Sequence, residues 1–165
     1  MIKTINFPDY TPSGFFKLTA GENKLRILSN PEFGYEYWLN KKPYRFAHAN
    51  KPIPPAGADP LKPLWVFKVY DCKTNTVNLW ELSKPSIQKA LQSLIESESW
   101  GDPTGYPISI TVTGSGMDTR YAVLPLPKEP LSSEIQKLSD ESTIDLSNIF
   151  NSGGTGSKRN TEFNL

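Results

Sequence analysis

The sequence predicts a mainly β fold, a small barrel or sandwich with one inserted helix. Three observations support this prediction. Short runs in which apolar and polar residues alternate recur along the chain, and turn residues separate them. Fifteen prolines among 165 residues favour short strands and structured loops over long helices. A single strong helical pattern begins at Lys84-Pro85, where proline suits the first turn and the following apolar residues recur at helical spacing.

The first half of the chain contains four predicted strands: residues 14–18, 22–29, 34–39 and 44–46. In the second strand, Leu25 and Ile27 are expected to point inward, and Lys24 and Arg26 to lie on the opposite face. Residues 47–63 contain five prolines and little apolar periodicity, so we expect a loop there.

The second half predicts four more strands and the helix: strands at residues 64–72, 76–82, 106–113 and 118–124, and a helix at about 84–98. Trp65 and Phe67 occupy alternate positions of one strand and are expected to face the core, with Lys68 and Tyr70 on the other face. After residue 127 the composition changes. Two short helices, at 130–138 and 144–150, and a flexible tail over 151–165 are predicted.

A helix that interrupts a series of short strands is typical of an OB-type barrel, in which it plugs the barrel. We therefore expect an OB-like five-stranded barrel with added strands, the inserted helix and a C-terminal extension. The expected boundaries are residues 1–127 for the barrel domain and 128–165 for the extension. An SH3-like barrel and an unrelated β-sandwich remain open alternatives.

Composition argues against several classes of protein. No run approaches the roughly 20 apolar residues that cross a bilayer, and the first ten residues lack a signal-peptide core, so an intracellular location is expected. Cys72 is the only cysteine and His48 the only histidine, which leaves no internal disulfide and no cysteine/histidine zinc cluster. We find no hydrolase, nucleotide-binding or metalloprotease motif. The expectation is a protein that is not an enzyme and needs no cofactor or metal.

Charge and aromatic residues point to an anionic partner. Residues 24–73 hold nine lysines and arginines against four acids, a net charge of +5, whereas residues 132–150 carry a net charge of −3. Residues 35–46 interleave aromatic side chains with cations. Single-stranded nucleic acid suits this pattern, because bases stack on aromatic rings and cations follow the phosphates without reading a sequence.

The order of several strings resembles the single-stranded DNA-binding proteins of tailed bacteriophages. The resemblance covers about residues 14–127, and the strings that carry it are FFKLTAGENKLRILS, GYEYWLNKKPYRF, WVFKVYD, LWELSKPSIQKAL and WGDPTGYPISITVTGSGMDTRYAVLP. It implies an OB barrel without catalytic activity. It also implies a role in protecting intermediates of phage DNA replication and recombination, in the cytoplasm of the infected bacterial host.

The resemblance also implies a set of DNA-binding residues. The residues that it implies begin with Arg26, and we add Lys24, which lies on the same face of that strand. The full set is Lys24, Arg26, Tyr37, Trp38, Lys42, Tyr44, Arg45, Lys68 and Tyr70.

Two features depart from the family. The T4-type helix-destabilising proteins carry a zinc-binding insertion, which residues 47–63 do not match, since they hold one histidine and no cysteine. Many members end in a strongly acidic tail that recruits replication partners. Here residues 132–150 are only mildly acidic, although short apolar anchors in the tail could still recruit phage or host replication and recombination proteins.

Two other functions remain open. A non-catalytic β-barrel module could hold a peptide or another protein on its aromatic surface, and a metal-dependent nuclease would use carboxylates such as Asp71 and Glu81. Monomer and dimer are both compatible with the sequence, as are DNA and RNA as ligands.

Overall fold

The computed structural model describes residues 14–144, 146, 149 and 150. These residues form seven strands and two helices, with three short 3₁₀ turns in the connections. The strands are β1 (Gly21–Ile27), β2 (Glu32–Leu39), β3 (Lys42–Ala47), β4 (Lys62–Asp71), β5 (Thr76–Leu82), β6 (Pro107–Thr113) and β7 (Arg120–Pro125). The helices are α1 (Pro85–Glu96), between β5 and β6, and α2 (Ser133–Glu141).

The strands form one antiparallel sheet in the order β3-β2-β4-β1-β6-β7, with β5 on the other edge of β4. β1 and β2 share one edge of β4: β2 pairs with its first half and β1 with its second half. The bend between them is held by β4, because Leu28 N donates to Lys68 O at 2.8 Å and Lys68 N donates to Ser29 Oγ at 3.1 Å. Residues 21–39 therefore act as one long, bent strand with two sets of neighbours.

The main core lies on one face of the sheet, which we call the core face. Helix α1 covers this face with Ile87 and Leu91, both fully buried. The sheet residues of the core alternate along their strands, as the period-2 pattern requires. They are Leu25, Ile27, Phe67, Val69, Trp80, Leu82, Ile108 and Ile110, joined by Phe16 and Tyr106.

The opposite face of the sheet is covered by the C-terminal extension. Leu64, Val66 and Leu79 form a second apolar cluster there with Ile149 and Phe150. We call this side of the sheet the covered face. Strand β4 is consequently buried on both sides, which explains why six of the seven residues 64–70 are apolar or aromatic.

The predicted mainly β fold and the inserted helix are confirmed, and the strand bounds differ by only a few residues. The exception is residues 14–18, which form an isolated parallel bridge between Phe15 and Leu79 instead of a strand. Phe16 N donates to Leu79 O, but the Phe16 ring then enters the core, and Thr19 turns the chain by bonding to Asn23. Among the described residues the strand pairings form an open sheet.

The C-terminal predictions are met in part. The first predicted helix corresponds to α2, whose N-cap Ser132 accepts a hydrogen bond from Ile135 N. Of the second, only residues 144, 146, 149 and 150 are described, and the predicted tail over 151–165 lies outside the described residues. No helix in the described part of the chain is long and apolar enough to cross a membrane.

Candidate nucleic-acid interface

The β2–β3 hairpin extends the core face with aromatic side chains that α1 does not cover completely. In its register Tyr37 lies opposite Tyr44 and Tyr35 opposite Phe46. The Tyr37 ring stacks on Tyr44 at 5.3 Å and on Phe46 at 5.7 Å between centroids. Strand alternation therefore places a row of rings along the hairpin, starting next to its positive turn at residues 40–42.

Where this row approaches α1, it opens into a groove of about 740 Å³. The aromatic groove, as we call it, has Phe33, Tyr35, His48 and Trp65 on one side. Ile95 and the polar residues Gln92 and Glu96 of α1 form the other side. Pro31 and Pro63 complete a largely apolar, elongated surface.

The rings of the groove are accessible to a ligand. Phe33 is 47% exposed, and its ring meets Trp65 edge to face, with centroids 5.5 Å apart and an interplanar angle of 87°. Tyr35 stacks on His48 at 5.6 Å, and the Lys51 ammonium lies 5.4 Å from the centre of the Tyr35 ring. An exposed phenyl ring beside partly buried aromatic rings is a surface on which a planar ligand can stack.

The charges around the groove are unevenly distributed. Glu32 of β2 and Glu96 of α1 are the acids that line the groove, whereas Lys51 stands over Tyr35. Lys42 lies farther along the same sheet face, opposite Leu39 in the hairpin. A polyanion would therefore run along the lysine side, away from α1.

Three of the nine predicted site residues lie on the same face of the sheet as the groove. Tyr44 is half-buried and Lys42 exposed, so both can contact a ligand that follows the hairpin. Tyr37 is 8% exposed, because Tyr44 and Phe46 cover its two sides. It supports the row of rings from within.

Two predicted residues of the hairpin point to the covered face instead. The Trp38 indole N–H donates to Glu36 Oε1 at 3.0 Å, and Arg45 Nε lies 2.9 Å from Glu36 Oε2. Arg45 is 2% exposed and also bonds to Glu81. Burial alone lowers the pKa of Arg45, but Glu81 and Glu36 outweigh burial and raise this pKa above its ordinary value. The Arg45 cation is neutralised inside the protein and is not presented to a ligand.

The other four predicted residues also lie on the covered face. Lys68 Nζ donates to Ser139 O of α2 at 2.7 Å, and Tyr70, 9% exposed, donates to Asn75 Oδ1 at 2.9 Å. Arg26 is buried against the start of the extension, while Lys24 is exposed two residues earlier on β1. The nine residues are thus divided between two faces of the sheet and do not form one groove.

None of the residues that line the groove was in the predicted set. Its four ring-bearing residues are Phe33, Tyr35, His48 and Trp65. Tyr35 belonged to the aromatic and basic cluster of the sequence, and its alternation with Tyr37 was visible. Trp65 shares the face of Phe67, but it lies closer to the rim of the sheet, where it is only partly buried. His48 stands in a loop whose approach to β2 depends on the folded hairpin, so no sequence pattern marks it.

The fold and this surface define a β-sheet protein with an aromatic groove flanked by lysines. No protein-family model, curated protein or solved structure matches the chain. Among the described residues, no group of three or more histidine, cysteine, aspartate or glutamate side chains is placed to hold a metal ion.

Proposed function

We propose that this protein binds single-stranded DNA in the aromatic groove, without strong preference for base sequence. The observation that carries the proposal is the exposed Phe33 ring next to Trp65 and Tyr35, with Lys51 beside them. Stacking on an aromatic ring contributes roughly 1–3 kcal/mol per base and works with any base. A duplex hides its base faces, so the groove favours single strands.

The lysines supply the second part of the binding energy. Lys51 at the groove and Lys42 near the hairpin turn lie on the same sheet face as the rings, so a strand that stacks on Phe33 can continue past Tyr44. Each phosphate that a lysine neutralises releases a counterion, which makes affinity fall with salt. Stacking and charge together give affinity without sequence recognition.

We further infer that the sheet curls into an OB-like barrel. The bent β1–β2 segment, which serves two sets of neighbours, and the helix inserted between β5 and β6 support this inference. The sequence resemblance to phage single-stranded DNA-binding proteins supports a role in protecting replication and recombination intermediates in the host cytoplasm. Phage or host replication and recombination proteins are the proposed protein partners.

A fluorescence titration tests the proposal. Oligo-dT is added to the full chain at two salt concentrations, and a duplex of equal length is the control. We expect quenching of tryptophan fluorescence by the single strand, weakened by salt and nearly absent with the duplex. Because Trp65 lines the groove, Trp65→Phe removes most of the quenching while leaving the fold intact.

A pair of variants places the binding in the groove. Phe33→Ala is expected to weaken binding by roughly 1–3 kcal/mol, since it removes a stacking surface. Leu124→Ala is the matched control, because Leu124 is 58% exposed but lies on β7, opposite Ser109 and away from the groove. Equal affinity of both variants, or no response to any DNA at low salt, overturns the proposal.

One observation favours a second candidate, a non-catalytic protein-interaction module. Glu32 and Glu96 border an apolar groove, an arrangement that suits a peptide with apolar and basic side chains. Such binding depends weakly on salt and requires no DNA affinity. Glu32→Gln with Glu96→Gln separates the two functions, because removing these charges strengthens DNA binding and weakens binding of a basic peptide.

A further inference from the structure

A second cationic site lies on the covered face, where Arg26 meets the start of the C-terminal extension. Arg26 is 4% exposed, and its Nη2 donates to two backbone carbonyls, Thr104 O at 3.1 Å and Glu129 O. Its Nε–H has no hydrogen-bond partner among the residues that the structure describes. A buried guanidinium normally uses its donors on carboxylates, so this one is incompletely satisfied.

The charge of Arg26 is also poorly balanced. The closest carboxylate, on Glu129, comes only to 4.0 Å from Nη1, and this side chain is 59% exposed. Burial lowers the pKa of Arg26, and the charges of Glu129 and Cys72 offset only part of this effect. By contrast, Arg45 is held between two carboxylates at 2.9 and 2.5 Å. The two buried arginines of the sheet therefore differ in their need for an anion.

Arg26 lines an open depression that offers room for such an anion. Its other walls are Thr104, Gly105, Lys128, Glu129, Pro130, Leu131 and Gln136. Lys128 is exposed and adds a second cation. The Gln136 amide, from the first turns of α2, donates to Asp140 Oδ1 at 2.9 Å and has a second N–H. Glu129 lies at the same place and is the one acid among these walls.

We propose that this depression binds an oxyanion of phosphate type between Arg26 and Lys128, with the Glu129 side chain displaced towards solvent. A phosphate supplies several acceptor oxygens, which suit an arginine with a free donor and a nearby lysine. The ligand is either free phosphate or the phosphodiester of a nucleic acid strand. This site lies on the opposite sheet face from the aromatic groove, so it does not depend on the proposed function.

Phosphate binding to the full chain tests the proposal. Inorganic phosphate is titrated by calorimetry, with sodium chloride of equal ionic strength as the control for screening. Lys128→Ala is expected to weaken phosphate binding by up to about fivefold, since it removes one exposed cation. Glu129→Gln is expected to strengthen binding by a similar factor, because the competing carboxylate is gone. Lys89→Ala, an exposed lysine on α1, is the matched control and should leave the affinity unchanged.

The two variants are expected to change phosphate affinity in opposite directions. They therefore test the site without altering the buried Arg26, whose loss could unfold the chain. Thermal unfolding in phosphate provides a second readout, since a ligand of the folded state raises the melting temperature. The proposal is overturned if phosphate stabilises the protein no more than chloride does. It is also overturned if Lys128→Ala and Glu129→Gln bind phosphate as the unmodified chain does.

The source of the phosphate is identified in a chain that carries Phe33→Ala, where the groove is weakened. If oligo-dT still binds this chain and Lys128→Ala removes the residual affinity, the site holds the backbone of a strand. If inorganic phosphate binds but oligo-dT has no residual affinity, the site holds a free anion. Failure of the groove proposal would appear as oligo-dT binding that Phe33→Ala leaves unchanged, and failure of the present one as absence of phosphate binding to the unmodified chain, so the two are distinguishable.

Discussion

The Arg45 guanidinium Nη1 lies 2.5 Å from Glu81 Oε2, although 36 residues separate the two side chains in sequence. Arg45 also pairs with Glu36, its direct neighbour across the β2–β3 hairpin. Only 2% of Arg45 is exposed. Arg45 therefore links the hairpin to β5 through a buried charge cluster, in which it pairs with both acids.

Replacing Arg45 tests how much the fold depends on this cluster. Arg45→Ala leaves two nearly buried carboxylates without their cation, and we expect a loss of about 3–5 kcal/mol in the free energy of unfolding. Urea unfolding measures this loss. Lys42→Ala, an exposed cation of the same hairpin, should change stability by less than about 0.5 kcal/mol.

A compensated variant distinguishes charge from packing. Arg45→Met combined with Glu36→Gln and Glu81→Gln removes the charges together, and most of the lost stability should return. A stability loss of Arg45→Ala below about 1 kcal/mol would show instead that the cluster is open to water and that Arg45 remains available to a ligand.

Gly34 provides a test of how the extension packs on the covered face. A Cβ atom at this position would clash with Phe150 Cε1 and would lie 2.5 Å from the Phe46 carbonyl oxygen. Gly34→Ala should therefore destabilise the chain by about 1–3 kcal/mol and loosen the extension, which limited proteolysis can detect. Gly105→Ala is the control, because a Cβ there meets nothing within 4 Å.

Phe150→Ala completes the experiment as a double-mutant cycle. Alone, it removes an apolar ring from the second cluster and should be destabilising. In the Gly34→Ala chain it should cost less, because it relieves the clash with the ring. Strictly additive losses would place Phe150 away from Gly34.

Much of the fold follows from local patterns. Alternation along β4 correctly separated Phe67 and Val69 from Lys68 and Tyr70, because the direction of successive side chains in a strand is a local property. Lys84-Pro85 likewise marked the start of α1. The failure at residues 14–18 has a tertiary cause, since Phe16 leaves the sheet edge to fill the core.

The site was harder to predict because it depends on what covers each face. Alternation placed Lys68 and Tyr70 on a face apart from the core, but nothing local showed that α2 and the residues Ile149 and Phe150 would cover that face. From the sequence alone, Arg45 is expected to be an exposed cation on a strand. In the structure it is buried, because Glu81 of another strand pairs with it. Trp65 was predicted to face the core, yet it lies with Phe33 where the cover provided by α1 ends.

Asp102 predicts a pH dependence of stability. Its Oδ1 accepts hydrogen bonds from Thr104 N at 2.9 Å and Thr104 Oγ1 at 2.8 Å, and these bonds hold the pKa of the carboxyl below its ordinary value of 3.8. The stabilisation is therefore complete above about pH 4 and is lost as the pH falls through the lowered pKa. Asp102 caps the 3₁₀ turn Pro103–Gly105. Asp102→Ala removes this cap and should lower the free energy of unfolding by about 0.5–2 kcal/mol at neutral pH.

Melting temperatures between pH 2 and pH 7 measure this effect. The difference between the unmodified chain and Asp102→Ala should shrink as the solution becomes acidic. Asp102→Asn keeps a neutral acceptor, so its difference from Asp102→Ala should stay nearly constant with pH. A constant difference between the unmodified chain and Asp102→Ala would mean that the ionised carboxylate is not the stabilising group.

Lys51 separates the two candidate functions of the groove. Its ammonium lies 5.4 Å from the centre of the Tyr35 ring, at the side of the groove where phosphates are expected to run. For a single strand, each lost phosphate contact changes the slope of log affinity against log salt by about 0.7. Lys51→Ala should therefore flatten this slope by about that amount, whereas Lys89→Ala on α1 should leave it unchanged. An unaltered slope, together with retained binding of a basic peptide, would favour the protein-interaction module. The groove would then recognise its ligand through Glu32 and Glu96 and not through the lysines.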